Sequence, residues 1–202
     1  GVDVLRLWMF SVNQPGEGKN YDENVVRELA SKTLGLTYNV LAFYELYRDK
    51  MLENTAEQDS AKSENVLDQW ILARLNQLIV ESTESLDSYR MIEPVRAIRD
   101  FIGDMSTWYL RRSRDRLKEI SNDPKIVADT QCAKQTLYIV LKKLAQLLAP
   151  FAPFAAEDIW QKLKLTTYAE SVHLSTWPVA GEVNNAVLVD MARARSVVEK
   201  AL

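Results

Sequence analysis

The segment from Asp100 to Arg116 reads DFIGDMSTWYLRRSRDR and indicates the fold class of the chain. Apolar residues recur here every three or four positions, which is the period of one face of an α-helix. We expect a helix over about 92–118, whose core-facing stripe consists of Ile98, Phe101, Ile102, Met105 and Tyr109. The stripe ends in four arginines within six residues, so one helix is predicted to carry both a core face and a basic end.

This basic end allows two interpretations. At about 100° per residue, Arg112 and Arg116 continue the apolar stripe, whereas Arg111, Arg114 and Lys118 point the opposite way. Exposed cations beside aromatic residues suit a phosphate backbone with stackable bases. Cations also suit a helix C-terminus, where they complement the helix dipole and pair with acidic neighbours. Charge alone leaves both interpretations open.

Helical periods dominate the rest of the chain. We expect further helices over about 2–12, 23–52, 66–88, 125–149, 154–164 and 185–202. We predict an exposed polar connection over about 53–64. We also predict an extended stretch around 171–174 and 177–178. In the second helix the predicted core stripe runs through Val40, Phe43 and Tyr47. The pattern therefore predicts an all-α protein, an elongated antiparallel helical bundle.

Composition excludes several classes of protein and site. The chain has 202 residues, with 47% hydrophobic and 26% charged residues, which is ordinary globular composition. The single cysteine, Cys132, rules out an internal disulfide framework and a cysteine-cluster zinc site. The single histidine, His173, leaves no histidine-based metal set and no catalytic triad. No apolar run reaches the roughly 20 residues that span a bilayer. We predict no catalytic residue, no metal site and no membrane segment.

Four segments resemble a known family, in the family's order and over nearly the whole chain. They read GVDVLRLW at 1–8, LDQWILARL at 67–75, DFIGDMSTWYLRRSR at 100–114, and LAPFAPFAAE at 148–157 with SVHL at 171–174 and WP at 177–178. They are similar to the anticodon-binding helical domain of class I aminoacyl-tRNA synthetases of the isoleucine, valine, leucine and methionine group. The segment at 100–114 most resembles the isoleucine enzyme. Departures are Gly103 and Thr107, which replace the usual Asp and Asn, and Tyr38, which replaces the arginine often found before Asn39.

The resemblance implies a function. The chain would bind the anticodon stem-loop of an isoleucine-specific tRNA as a non-catalytic part of an isoleucine–tRNA ligase. The ATP and Mg²⁺ of the parent enzyme would belong to regions outside this chain. Two alternatives remain open: the same domain of a valine–tRNA ligase, and a helical protein-interaction module that binds no RNA. The tRNA-binding candidates are Asn39, Trp108, Arg111, Arg112, Arg114, Arg116 and Lys118.

The resemblance also suggests how the chain is organised. Residues 1–180 would form the anticodon-binding bundle, with 1–13 resembling the junction from a catalytic domain. Residues 181–202 would form a helix that leads to a C-terminal region absent from this chain. We expect a cytoplasmic monomer.

Overall fold

A computed structural model of the chain describes residues 1–13, 17–18, 20–48 and 63–201. All regular structure in these ranges is helical, which confirms the all-α prediction. The α-helices are α1 (Val2–Ser11), α2 (Glu23–Leu29), α3 (Leu36–Tyr47), α4 (Val66–Asp87), α5 (Ile92–Gly103), α6 (Arg111–Lys118), α7 (Pro124–Leu148), α8 (Pro153–Leu163) and α9 (Asn185–Ala201). Most of the predicted connection at 53–64 lies outside the described residues.

Side-chain caps fix where three of the helices begin. The Asp22 carboxylate accepts a hydrogen bond from the Asn24 backbone N–H (2.8 Å) at the start of α2. Asn65 accepts from the backbone of Leu67 at the start of α4 (3.0 Å), and Asp123 from that of Lys125 at the start of α7 (2.8 Å). Each cap satisfies a backbone donor that the first helical turn leaves free.

Two π-helical segments interrupt the second and fourth predicted helices. The first, Ala30–Gly35, joins α2 to α3, and the second, Asp104–Leu110, joins α5 to α6. A π-helix closes its hydrogen bonds over five residues instead of four, so each turn contains about one more residue. Residues beyond such a segment are rotated by roughly 100° from the phase of an uninterrupted α-helix. The sequence pattern predicted the extent of both helices but not this rotation.

The core lies where α4, α5, α7 and α8 meet. Trp70, Phe101, Tyr109 and Phe151 are among its largest fully buried side chains. α7 packs on α8, and α4 packs on both α5 and α9. Near the centre of the bundle α7 is buried nearly all round, with Leu137, Val140 and Leu144 fully enclosed. The predicted core positions Phe101 and Tyr109 are thereby confirmed.

Two polar contacts fasten α1 to the rest of the bundle. The buried Asp3 carboxylate accepts from the Ala155 backbone N–H (2.7 Å) and so caps α8 from outside its own helix. Arg6 donates from Nη2 to the carbonyl of Pro150 at 2.8 Å. Within the described part of the chain, no helix is long and apolar enough to cross a membrane.

The segment predicted to be extended around 171–174 is instead a short 3₁₀ turn over Val172–Leu174. Glu157 contacts the start of the turn, where its Oε2 accepts from both the Ser171 hydroxyl (2.7 Å) and the Val172 backbone N–H (3.0 Å). His173 is exposed, and its Nε2 lies 3.3 Å from the carbonyl of Pro153.

Candidate nucleic-acid interface

Arg116 anchors α6 in the bundle, as the sequence predicted. Its Nη1 and Nη2 donate to the two carboxylate oxygens of Asp68 at 3.1 and 3.0 Å. Its Nε and Nη2 donate to Asp129 at 2.7 Å each. Asp68 is completely buried, and Arg116 is only 17% exposed. One guanidinium therefore joins α4, α6 and α7, and its contacts make it a structural residue and not a free RNA contact.

The buried Tyr109 hydroxyl completes this network by donating to Asp68 at 2.8 Å. Burial, together with the negative charge of Asp68, raises the pKa of the Tyr109 phenol well above its ordinary value. Burial lowers the pKa of the Arg116 guanidinium, but its hydrogen bonds to Asp129 and Asp68 have a larger effect and raise this pKa above its ordinary value. At Asp129 the hydrogen bond from Arg116 lowers the carboxyl pKa, and this effect is larger than the increase caused by burial. The network is thus a protonated phenol and a cation held between two carboxylates.

Arg112 corrects one prediction. The sequence pattern predicts that Arg112 continues the core stripe, but the structure places it at the surface, where no ion pair with it occurs among the described residues. Its guanidinium carbon lies 3.2 Å from the centre of the Trp108 ring. The second π-helical segment explains the error, because it rotates Arg112 out of the stripe and rotates the buried Ser113 and Leu117 into it.

Trp108 lies between two cations on the side of the bundle that faces α9. It is half-buried, and Arg195 of α9 lies 5.1 Å from its ring centre. Its indole N–H is buried and has no hydrogen-bond partner among the described residues. Burial, and after it the charges of Arg111 and Arg195, lower the pKa of Arg112. Arg112 and Arg114 are two residues apart, about 200° around the helix, so Trp108 and Arg112 lie away from the face that Arg114 presents.

A second group of cations lies over two aromatic rings on α3. The guanidinium carbon of Arg114 lies 5.5 Å from the centre of the Phe43 ring. The ammonium of Lys118 lies 5.9 Å from the ring centres of both Phe43 and Tyr47. The two rings are themselves 4.8 Å apart. We call Phe43, Tyr47, Arg114 and Lys118 the cation–aromatic surface.

The sequence interpretation missed Phe43 and Tyr47 as surface residues. It placed both on the core stripe of the second helix, whereas both are only half-buried. The first π-helical segment rotates α3 so that Thr37, Leu41 and Tyr44 face the core together with Val40, whose predicted core position is confirmed. The spacing of Asn39, Phe43 and Tyr47 at every fourth residue was the available signal, because such residues share one helical face.

The other predicted site residues divide between the two groups. Asn39 is exposed one turn before Phe43 on the same face of α3. Arg111, Arg114 and Lys118 are exposed, as predicted, and none of them forms an ion pair in the part of the chain that is described. The structure therefore brings Asn39, Arg114 and Lys118 to one surface.

Comparison with known sequences places these features in a family. A family model described as the anticodon-binding domain of tRNA ligase matches residues 68–201. The isoleucine–tRNA ligase of Dehalococcoides mccartyi (strain CBDB1) is 38% identical over 183 residues, covering 89% of this chain and 18% of that protein. That of Clostridium kluyveri is 37% identical over 181 residues, covering 88% of this chain and 17% of that protein. That of Deinococcus radiodurans is 33% identical over 201 residues, covering 98% and 18%. The chain spans about a fifth of the length of these curated relatives.

A solved structure has the same fold. It is the LeuRS chain of a LeuRS–tRNA–LeuAMS ternary complex from Agrobacterium radiobacter K84, with a TM-score of 0.58 and 18% sequence identity. The likeness covers 93% of this chain and 20% of that one. Since the family model matches well over half of the residues, this chain belongs to the family of anticodon-binding domains of tRNA ligases.

Proposed function

We propose that this chain binds the anticodon stem-loop of a tRNA through the cation–aromatic surface, as the RNA-binding part of an isoleucine–tRNA ligase. The observation that carries the proposal is the placement of Arg114 and Lys118 over the rings of Phe43 and Tyr47. Each relative described above is an isoleucine–tRNA ligase, which favours an isoleucine tRNA over a valine tRNA. Aminoacyl transfer, with its ATP and Mg²⁺, would belong to the rest of the ligase.

The chemistry of the surface matches an unpaired RNA loop. Unpaired bases stack on aromatic side chains, while guanidinium and ammonium groups bind the phosphates between them. Arg114 and Lys118 are exposed cations without carboxylate partners in the described ranges, so binding a phosphate breaks no ion pair. The chain as a whole has a net charge of −3, so the positive charge of this surface is a local feature. We therefore expect binding that is modest and strongly dependent on salt.

The Arg116 network supports the proposal by holding the surface still. Arg116 lies between Arg114 and Lys118 in sequence, and its five donor contacts to Asp68 and Asp129 tie α6 to α4 and α7. A cation carried by a rigid element loses less conformational freedom when it binds than one on a mobile loop. The exposed cations of α6 are thus held in place before RNA arrives.

The test is a binding titration of a tRNA transcript at several salt concentrations. We expect simultaneous substitution of Arg111, Arg114 and Lys118 by alanine to weaken binding with little loss of folding stability. If each residue contacts one phosphate, the slope of log K against log salt becomes shallower by about 0.7–0.9 per contact removed. The same charge change at three exposed cations elsewhere, Arg90, Arg193 and Lys200, is the matched control. Equal affinity and equal slope for the two triple variants would contradict the proposal.

A further inference from the structure

A cleft of about 410 Å³ lies where α7, α8 and the chain that follows α8 meet. The helix α7 contributes Lys142, Lys143 and Gln146, which lie within little more than one turn of each other. The helix α8 contributes Trp160, and the remaining lining residues lie within 167–179. Sites for small molecules typically have volumes of about 300–1,000 Å³. The cleft is therefore large enough for a small organic ligand.

Two buried lysines place their ammonium groups at this cleft. Lys142 and Lys143 are only 9% and 8% exposed, which is rare for lysine. The ammonium of Lys142 lies 3.4 Å from the hydroxyl of Tyr168 and 4.9 Å from the centre of that ring. The ammonium of Lys143 donates to the carbonyl of Val179 at 3.1 Å. Since Tyr168 and Val179 both line the cleft, both ammonium groups lie beside it.

The charge of the lining has one sign. Among the described residues that line the cleft, the charged side chains are these two lysines, and none is acidic. Lys142 and Lys143 have further interactions within the chain. Even so, an anion in the cleft would lie beside two positive charges on consecutive residues, in a site from which much of the water is removed. Coulomb attraction is stronger there than in bulk water.

Aromatic rings form part of the same lining. The indole N–H of Trp160 donates to the carbonyl of Ala169 at 3.0 Å, and its ring centre lies 5.8 Å from that of Tyr168. The indole N–H of Trp177 donates to the hydroxyl of Thr83 at 2.9 Å. These hydrogen bonds hold both indoles in fixed positions. Rigid aromatic rings beside a few polar groups are typical of sites that bind a flat organic ring.

We propose that this cleft binds a small organic anion, with a carboxylate or phosphate beside the ammonium groups of Lys142 and Lys143 and a flat ring against Trp160 and Trp177. The inference is independent of the proposed RNA binding, since no residue of the cleft belongs to the cation–aromatic surface. A free small molecule fits better than RNA because both cations are nine-tenths buried. A phosphate within a polynucleotide would have to bring its neighbouring nucleotides into the same small cleft.

The first test compares ring compounds of similar size on the whole unmodified chain: phenyl phosphate as the anion, benzamide as the neutral probe and benzylamine as the cation. We expect phenyl phosphate to bind at least about ten times more tightly than benzamide, the equivalent of one hydrogen bond to a charged group. Benzylamine should bind no better than benzamide. In ¹⁵N NMR spectra, phenyl phosphate should shift the indole N–H signals of Trp160 and Trp177, which line the cleft, but not that of the core residue Trp70. Equal affinity for the three compounds, or no shift at Trp160 and Trp177, would overturn the proposal.

The second test removes the charges. Lys142→Met and Lys143→Met keep most of each side chain, and methionine suits a buried position. Lys125→Met, at an exposed position in the first turn of the same helix, is the matched control, and a denaturant melt verifies that each variant is folded. We expect each cleft variant, but not the control, to weaken phenyl phosphate binding about tenfold and to leave benzamide binding unchanged. Unchanged phenyl phosphate affinity in both cleft variants would refute the proposal. Displacement of phenyl phosphate by a tRNA transcript would also refute it, because the cleft would then take a phosphate of RNA.

Discussion

Substitution of Arg116 should destabilise the bundle more than any other change to its basic helix end. Arg116→Met keeps the length of the side chain but removes the cation that faces the fully buried Asp68 carboxylate. The two hydrogen bonds from Arg116 to Asp68 are lost, and only the donors Tyr109 and Ser63 remain to Asp68. Removing one partner of a buried ion pair typically costs about 3–5 kcal/mol, because an uncompensated charge stays inside. We expect a loss of that size.

The second carboxylate contributes less, because it is better hydrated. The Asp129 side chain is 44% exposed, so water replaces much of what Arg116 supplies. Asp129→Asn should therefore cost only about 0.5–1 kcal/mol after solvent screening. The difference between the two carboxylates follows from burial alone, since Arg116 lies at similar distances from both.

A double-mutant cycle tests whether Asp68 and Arg116 are energetically coupled. In the native chain, Asp68→Asn removes a carboxylate from a satisfied network and should destabilise it by about 2–3 kcal/mol. In the Arg116→Met background the same substitution removes an unpaired buried charge, so it should stabilise the protein. The measurement is urea unfolding followed by circular dichroism, with free energies compared at equal m values. If Asp68→Asn costs the same in both backgrounds, to within about 0.5 kcal/mol, then Asp68 and Arg116 are not coupled and the reasoning fails.

Two further predictions concern the core and its response to pH. Trp70→Ala and Phe101→Ala should each lower the unfolding free energy by about 3–5 kcal/mol. Phe154→Ala, at a side chain that is 69% exposed, should change the unfolding free energy little. If urea melts give similar losses for all three variants, burial does not set the cost of the substitution. Because the Tyr109 pKa is raised in the folded state, its contribution to stability is present below about pH 10 and declines as pH rises toward the folded pKa. Tyr38, whose pKa is raised to about 12, acts in the same direction. Unfolding free energy should therefore fall more steeply above about pH 10 in the native chain than in Tyr109→Phe, and parallel pH profiles for the two proteins would refute this.

Much of the bundle could be read from local patterns. The observed bounds of α1, α4, α7 and α8 lie within one or two residues of those expected from apolar periodicity. Arg116 was placed correctly because it lies close enough to the apolar stripe to remain core-facing even after the helix rotates. Arg111, Arg114 and Lys118 point far enough from the core for the same rotation to leave them in water.

For residues near the border between core and surface, local sequence patterns did not predict burial correctly. Arg112, Phe43 and Tyr47 each follow a π-helical segment, and each was assigned to the core by counting at the α-helical period. A π turn costs local hydrogen-bond geometry and forms where packing against neighbouring helices offsets that cost. Those neighbours are far away in sequence, so no local pattern reveals them.

The positions of the helical segments, the starts of several of them and the aromatic residues of the central core could be predicted from the sequence, because these depend on spacing and capping within a few residues. The direction in which α3 and α6 turn after their π-helical segments depends instead on packing against other helices. That rotation brings Phe43 and Tyr47 beside Arg114 and Lys118. The physical reason is that the phase of a long helix is set jointly by all the helices packed against it.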